Sequence, residues 1–475
     1  GTWMSLDISP DGKSLVFDHM GDLYSIPATG GKAQNITKGL AFDTHPRYSP
    51  DGKKLLFISD RSGSDNVWMI DFEKKDTVQV TKDRDQNYEA ADWTPDGNYI
   101  VFAKGRMNVQ LWMVHKDGGG GVQLIDQPAT LKTIEPAVSP DGRYIYFSQR
   151  NGAWNYNAMF PQYQIGMYDR DNGKRTTITS RYGSAFTPTI SGDGKWLVYG
   201  SRFEDKTGLV LRNLISGDEK WLAYPVQRDD QESIATMGVL PSMTFTPDNQ
   251  AVIASYGGKI YKIALNGGAP TPIPFTVDMD IEMGPRLEFK YPISDTTRTL
   301  ATQIRDVVSS PDGKKIAFTV LNRLYVADYP KGTPKRLTNL EFTEAQPTWS
   351  NDGSQITFVT WTAQGGSLYK VQADGSNLQK ITSLPALYSQ PAYTPKDDKI
   401  VFIRSKMRAY KESVGPVANG SEDELCWIET KGGDITVIDQ AKGREYPHFV
   451  KKQTDRIYLS GGDGSVVSIK WDGTD

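Results

Sequence analysis

Four histidines, His19, His45, His115 and His448, are the first residues to weigh as chemistry, because imidazole binds metals and moves protons near neutral pH. No two stand in a His-x-His or His-Glu-x-x-His arrangement, so no histidine-rich metal centre is encoded. Cys426 is the sole cysteine, which excludes an intrachain disulfide and a cysteine-based structural metal site. A Gly-x-Ser-x-Gly nucleophile elbow is missing, as are a Walker loop and a dinucleotide fingerprint. Asp169-Arg170-Asp171-Asn172-Gly173 begins like a calcium loop but lacks the distal Glu of an EF-hand. It occupies the place of turn pairs such as Gly30-Gly31 and Gly118-Gly119, so it reads as a turn.

The acids that recur do so for a structural reason. Asp11, Asp51, Asp96, Asp141 and Asp312 each sit inside a phrase Ser/Thr-Pro-Asp-Gly-Lys-x-apolar-x-aromatic, or a close variant of it, beginning at Ser9, Ser49, Thr94, Ser139 and Ser310. Weaker copies begin at Ser191 (with Asp193), Thr246, Ser350 (with Asp352), Thr394 and, most degraded, Lys451. Pro fixes φ, Asp bonds nearby backbone amides through its side chain, and Gly tolerates positive φ, so the phrase makes a tight turn. An acid repeated in every unit is explained by backbone bonding rather than catalysis.

The start-to-start spacings are 40, 45, 45, 52, 55, 64, 40, 44 and 57 residues. After each turn comes a β-rich run such as Lys54-Leu55-Leu56-Phe57-Ile58, then a second one such as Val67-Trp68-Met69-Ile70, then a Gly-bearing turn and a short closing strand such as Gln79-Val80-Thr81. Counting the stretch before the phrase, as in Pro46-Arg47-Tyr48 or Gln346-Pro347-Thr348-Trp349, each unit is a four-stranded antiparallel meander. Such a meander cannot bury its faces alone, and radial packing of neighbours is a β-propeller. The expected class is therefore all-β, a propeller of about ten four-stranded repeats.

Ten units exceed the usual range of about four to eight blades in a ring. Either residues 1–475 form one large ring, or residues 1–275 and 276–475 form two consecutive rings divided at the longest spacing, where Pro270, Pro272, Pro274, Pro285 and Pro292 fall. The tenth unit shows no fourth strand before Asp475, and the chain opens inside what should be a first strand, so further sequence is expected on both sides.

Composition fits a large protein with a substantial core: 475 residues, 38% hydrophobic and 11% aromatic, with 45 Gly and 27 Pro for the turns. A net charge of −3, from 54 basic and 57 acidic residues, makes no electrostatic case for nucleic acid or an anionic membrane. No apolar run approaches the roughly 18 residues of a membrane-spanning helix.

Binding groups are expected where insertions break the repeat. The fourth unit carries Arg150 to Tyr163 between its second and third strands, a run that includes Trp154, Asn155, Tyr156 and Asn157 and could stack and hydrogen-bond a polar ligand or dock a neighbouring domain. Ser180 to Phe186, with Arg181 and Tyr182, would share its rim if adjacent blades present their loops together. Tyr224 to Ser233, with Arg228 and Asp229, reads as a charged solvated loop, and Arg404 to Glu424 as a flexible surface loop.

The phrase set, with Ser59-Asp60-Arg61-Ser62-Gly63 after a second strand and the Gly-Gly-x-x-x-x-Ile-Thr ending, resembles the repeats of TolB and of the tricorn-protease amino-terminal region, across nearly the whole chain. Gly1-Thr2-Trp3-Met4-Ser5-Leu6-Asp7, Trp154-Asn155-Tyr156-Asn157, Leu222 to Asp229 and Val467 to Asp475 also look like the propeller half of exported bacterial proteins whose carboxy-terminal half is a metal-dependent amidohydrolase. That resemblance implies a non-catalytic scaffold that restricts access to a hydrolase acting on C–N bonds. Its divalent metals would lie in a catalytic domain beyond residue 475, its partner would be that domain or another protein, and its location would be periplasmic or secreted. No cofactor is expected in these residues. The other readings are a TolB-like envelope adaptor and the gating propeller of a serine peptidase.

Overall fold

The fold begins at the turns. In a computed structural model, which describes residues 3–152, 161–228, 239–280, 284–408, 422–450 and 453–474, Ser9 Oγ donates to Asp11 Oδ1 at 2.6 Å, the same oxygen accepts from Lys13 N at 3.1 Å, and Ser9 Oγ accepts from Ser14 N at 3.0 Å. Gly12 stands at φ +72°. The Ser or Thr hydroxyl reaches the Asp two residues on in the same way in the phrases starting at 49, 94, 139, 191, 246, 310 and 350. At Thr394 the partner is Asp398, because Lys396 takes the Asp position. The hydroxyl bond is the main cause holding the Asp51 and Asp141 carboxyls below their usual range. These acids are spent on backbone geometry.

Each turn launches a buried strand, as Lys54–Ser59 and Trp196–Phe203 do, and the next strand returns antiparallel to it. Among the described residues the result is nine four-stranded antiparallel sheets and a last sheet of three strands, Glu445–Val450, Gln453–Ser460 and Val466–Lys470. The chain is all-β and built of propeller blades, as the repeat predicts.

Two compact units are present, Gly1–Pro285 and Arg286–Asp475. The first contains six of the four-stranded sheets, and its first and sixth adjoin. Leu6 N donates to Ser242 O at 3.2 Å, and Met4, Leu6, Leu15 and Phe17 share a core with Ile253, Ile260 and Ile273. Phe275–Thr276, after the sixth sheet, pairs in parallel with Gly31–Lys32, which lies between the third and fourth strands of the first, so this ring closes through a separate two-stranded clasp drawn from both of its ends. Around the ring, apolar residues of consecutive sheets interleave, as Val101, Leu111, Ile145, Phe147, Val198, Leu209 and Val252 do in one continuous cluster. The second unit contains three four-stranded sheets and the three-stranded one, packed in sequence, with Ala345, Phe402 and Cys426 in one of its clusters.

The first strand of most sheets carries a bulge, and here the structure adds what the repeat did not suggest. His45, Glu135, Thr187, Gln346, Gln390 and Tyr446 all have φ between 48° and 57°, and each is followed by a buried Pro. A left-handed non-Gly residue costs about 1–2 kcal/mol. Each bulge amide is recovered by a side chain of the preceding sheet: His45 N donates to Asp18 Oδ2 at 2.9 Å, Glu135 N to Glu89 Oε2 at 2.7 Å and Thr187 N to Glu135 Oε2 at 2.7 Å. The second unit repeats the device, from Gln346 N to Asp306 Oδ2 at 3.0 Å, Gln390 N to Gln346 Oε1 at 2.6 Å and Tyr446 N to Gln390 Oε1 at 2.7 Å. Blades are thus stapled to one another at the bulges of their first strands.

Candidate recognition surface

At the inner edge of the first ring, side chains fill the space. His45, Arg47, Ala91, Glu135, Thr187 and Leu240 line a cavity of only about 20 Å³, room for about one water molecule. Glu135 accepts from Ser148 Oγ, from Thr187 N and Oγ1 and from Val239 N, whereas Glu89 has one buried oxygen without a partner. Burial, and next the charge of Glu135, pushes the Glu89 carboxyl well above its usual range. Burial likewise raises Asp18 to about 7 and Asp92 to about 6, the latter against the pull of Arg47. With four donors on Glu135 and one on Glu89, Glu135 is the member that holds the negative charge. Among the described residues this cluster is buried, and its polar groups are engaged in holding neighbouring blades together.

The outer rim of the fourth and fifth sheets is different. The fifth sheet extends into a long ribbon formed by Trp196–Phe203, Lys206–Asn213 and Glu219–Arg228. Three rings gather on it in edge and tilted contacts, Phe203–Tyr224 at 5.8 Å, Phe203–Trp221 at 6.3 Å and Trp221–Tyr224 at 5.3 Å between centroids. They remain open to solvent, Phe203 at 53% and Trp221 and Tyr224 at 38% each. Gly208 makes the arrangement possible. A Cβ there would stand 2.7 Å from the Tyr224 ring and 2.8 Å from that of Trp221, so only a bare backbone lets both rings lie across the strand.

Arg181 is placed on the same rim. Its guanidinium lies 5.0 Å from the Trp221 ring centroid, with Nε donating to Ser201 Oγ at 3.0 Å and Nη1 to Glu219 Oε2 at 2.9 Å. Glu219 also accepts from Tyr199 OH and Arg212 Nη1, both at 2.6 Å. Burial pushes the Glu219 carboxyl up, but the bonds from Tyr199, Arg212 and Arg181 together outweigh it and hold the group below its usual range. Arg181 is thus held beside the aromatic surface by a charge network.

Tyr182, beside it, is 53% exposed. Arg228 ends the ribbon opposite Lys206. The stretch Tyr224 to Arg228 is strand and not the solvated loop expected from its charges, because Gln227 and Arg228 pair with Thr207 and Lys206 across a bulged register. Trp154, Asn155, Tyr156, Asn157 and Asp229 lie outside the described residues. The flanks of 153–160 are nonetheless informative. Gln162 N donates to Ser184 Oγ at 2.8 Å, Gln164 Nε2 to Arg181 O at 2.7 Å and Ala185 N to Tyr163 O at 2.9 Å, so the segment around Arg181 is sewn to the residues that follow that insertion. Lys132 Nζ donates to Gly152 O and Arg150 Nη1 to Gln162 Oε1, placing a buried cation at each end of it. Burial first, and then Arg150, draws the Lys132 ammonium below its usual range.

In the second unit, Arg404 and Glu424, ends of the expected surface loop, are strand residues joined by an ion pair at 2.5 Å. A cavity of about 510 Å³ there is lined by Gln303, Arg305, Asp306, Asn322, Gln346 and Trp361. Among the described residues no three His, Cys, Asp or Glu side chains converge as a metal-ligand set, and no helix is long and apolar enough to cross a membrane.

Comparison with known proteins agrees with this architecture. Residues 1–160 and 305–429 match the TolB beta propeller domain. The chain is 25% identical over 276 residues to the Tol-Pal system protein TolB of Francisella tularensis, covering 55% of this chain and 54% of that protein. It is 28% identical over 164 residues to dipeptidyl-peptidase 5 of Porphyromonas gingivalis, covering 30% of this chain and 22% of the peptidase. The crystal structure of the tricorn protease superposes with a TM-score of 0.44 at 14% identity, covering 100% of this chain and 44% of that one. The chain therefore spans about half of that TolB and under a quarter of that peptidase. With more than half of its residues matched to one domain family, this chain is a member of the TolB beta-propeller domain family.

Proposed function

We propose that this chain is a propeller module that makes and breaks no bond itself and presents the rim of its fourth and fifth sheets as a recognition surface for a hydrolase and its substrate. The observation that supports this most is the exposed Phe203–Trp221–Tyr224 cluster, held on a rigid ribbon by Gly208 and by the Arg181–Glu219 network. Aromatic rings of this kind give large contact area at small entropy cost, and each has a face for stacking or cation–π contact.

The hydrolase that fits the sequence resemblance is a metal-dependent amidohydrolase cleaving C–N bonds, and the compartment is the bacterial envelope. Its divalent metal is assigned to a catalytic domain outside this chain, as the sequence resemblance implies. Within the module, the part played by the rim is selection by contact and size. Trp154, Asn155, Tyr156, Asn157, Tyr182, Arg228 and Asp229 are proposed as further contact residues beside the aromatic cluster.

A second reading is favoured by the TolB match, that of an adaptor whose rim binds a protein partner. One experiment separates the two. Trp221→Ala with Tyr224→Ala, made in the natural protein, should raise KM for a long peptide-like amide by about tenfold (a loss of about 1.4 kcal/mol) and leave a minimal amide unaffected. Unchanged kinetics with both substrates would defeat the selector reading, and loss of a co-purifying partner at unchanged kinetics would establish the adaptor.

A further inference from the structure

Among the described residues, no other sheet of the second unit packs against the leading face of its first sheet. Its first sheet begins with the strand Arg305–Ser309, and Asp306 has the same left-handed bulge geometry, at φ +53°, as its counterparts in other sheets. At those counterparts the next residue is a buried Pro: Pro46, Pro136, Pro188, Pro347, Pro391 and Pro447. Here that residue is Val307, 56% exposed, and two further apolar residues of the same hairpin, Ile304 just before the strand and Leu321 in the turn, are 56% and 74% exposed. The backbone device is incomplete in the same place. Gln346, Gln390 and Tyr446 each donate their bulge amide to an oxygen of the preceding sheet, whereas among the described residues no side chain of a neighbouring sheet accepts from Asp306 N. Asp306 does carry out the other half, accepting from Gln346 N and from Thr319 Oγ1.

We propose that this face is a socket for one further blade-type sheet, contributed from outside residues 1–475. Its inner edge supplies a carboxylate or carboxamide oxygen to Asp306 N–H, and its apolar face covers Ile304, Val307 and Leu321. The chemistry of the occupant follows from the junctions already built, where the acceptors are Asp, Glu and Gln. The last sheet of this unit has Tyr446 at that position and so offers no such group from a second copy. A β-sheet is also the partner able to satisfy an inner-strand amide and an apolar stripe together.

The test uses the protein purified from its own cells, with residues 1–475 expressed alone as reference. Hydrogen exchange of the peptide spanning Ile304 to Ser309 should be slower in the natural protein by about tenfold or more, while the peptide containing Gln346 exchanges alike in both. A photo-cross-linking amino acid in place of Leu321 should join to a peptide that carries the Ser/Thr-Pro-Asp-Gly phrase or the strand beside it. Equal exchange in the two proteins overturns the proposal. So does a cross-link to a helical or non-repeat segment, or to residues 1–475 of a second copy. Val307→Asp should abolish the extra protection without changing the melting of the six-sheet unit, which shows that the loss is local.

Discussion

Glu135 receives at its backbone amide the carboxylate of Glu89, 2.7 Å away, and passes its own carboxylate on to the amide of Thr187 at 2.7 Å. One residue thereby ties three consecutive blades, at the cost of enclosing two carboxyl groups side by side. A carboxyl whose pKa is higher folded than unfolded keeps its proton longer in the native state. Its contribution to stability is complete below the ordinary carboxylate range and is lost as pH rises through the folded value, about 6 for Asp92 and about 7 for Asp18. The six-sheet ring should therefore melt at a lower temperature at pH 8 than at pH 5.5. Glu89→Gln, which keeps an acceptor for Glu135 N and replaces the unpartnered oxygen with a donor, should gain about 1 kcal/mol at pH 8 and little at pH 5.5. Thermal melts at the two pH values check this, and an equal shift at both would contradict it.

Glu219 gathers Tyr199, Arg181 and Arg212 beneath the aromatic ribbon. Glu219→Gln retains the size but loses the charge, and should cost about 1–3 kcal/mol in denaturant unfolding. Fluorescence of Trp221 should shift as well, because Arg181 is freed from its position over the ring.

Gly208 has a sharper test. Gly208→Ala places a methyl group within 3 Å of Trp221, Tyr224 and the carbonyl of Ala223. The rings must lift off the strand, so this variant should lose binding by the rim to the same degree as Trp221→Ala, with a smaller loss of stability. Binding at the parental level would show that the rings are not the contact.

Asp51 represents the turn acids. With Ser49 Oγ at 2.6 Å and Lys53 N at 3.1 Å as its partners, Asp51→Ala should destabilise the first unit by about 1–2 kcal/mol and leave binding intact. Activity loss at unchanged stability would restore a chemical role to these residues.

Cys426 is enclosed with Tyr388, Phe402 and Ile428, and burial raises its thiol to about 12. A thiol reagent at pH 8 should leave it unlabelled in the native protein and modify it fully in denaturant. The labelling rate then reports opening of the second unit.

The turn phrase made most of the fold legible, because Pro, Asp and Gly carry their conformational meaning locally and the strands that follow are apolar and β-branched. Less legible were features that need two blades to define them. His45-Pro46, Glu135-Pro136 and Gln346-Pro347 are visible as dipeptides just ahead of the phrase, yet their left-handed bulges make sense only once the preceding sheet supplies Asp18, Glu89 or Asp306. The aromatic rim was missed for a related reason. The charges of Arg228 and Asp229 suggested a loop, while the pairing of Gln227 with Thr207 and the gap left by Gly208 depend on a strand lying alongside. Arg181 was identified from its loop, but its engagement with Glu219 is a long-range contact that no local pattern encodes.

The clasp between Phe275–Thr276 and Gly31–Lys32 has a consequence for synthesis on the ribosome. Of the six sheets in this unit, the first in chain order is among the last to be secured, since its partner segment is translated only after the other five are complete. Until then the Gly31–Lys32 segment lacks its strand partner and is open to pairing with other chains.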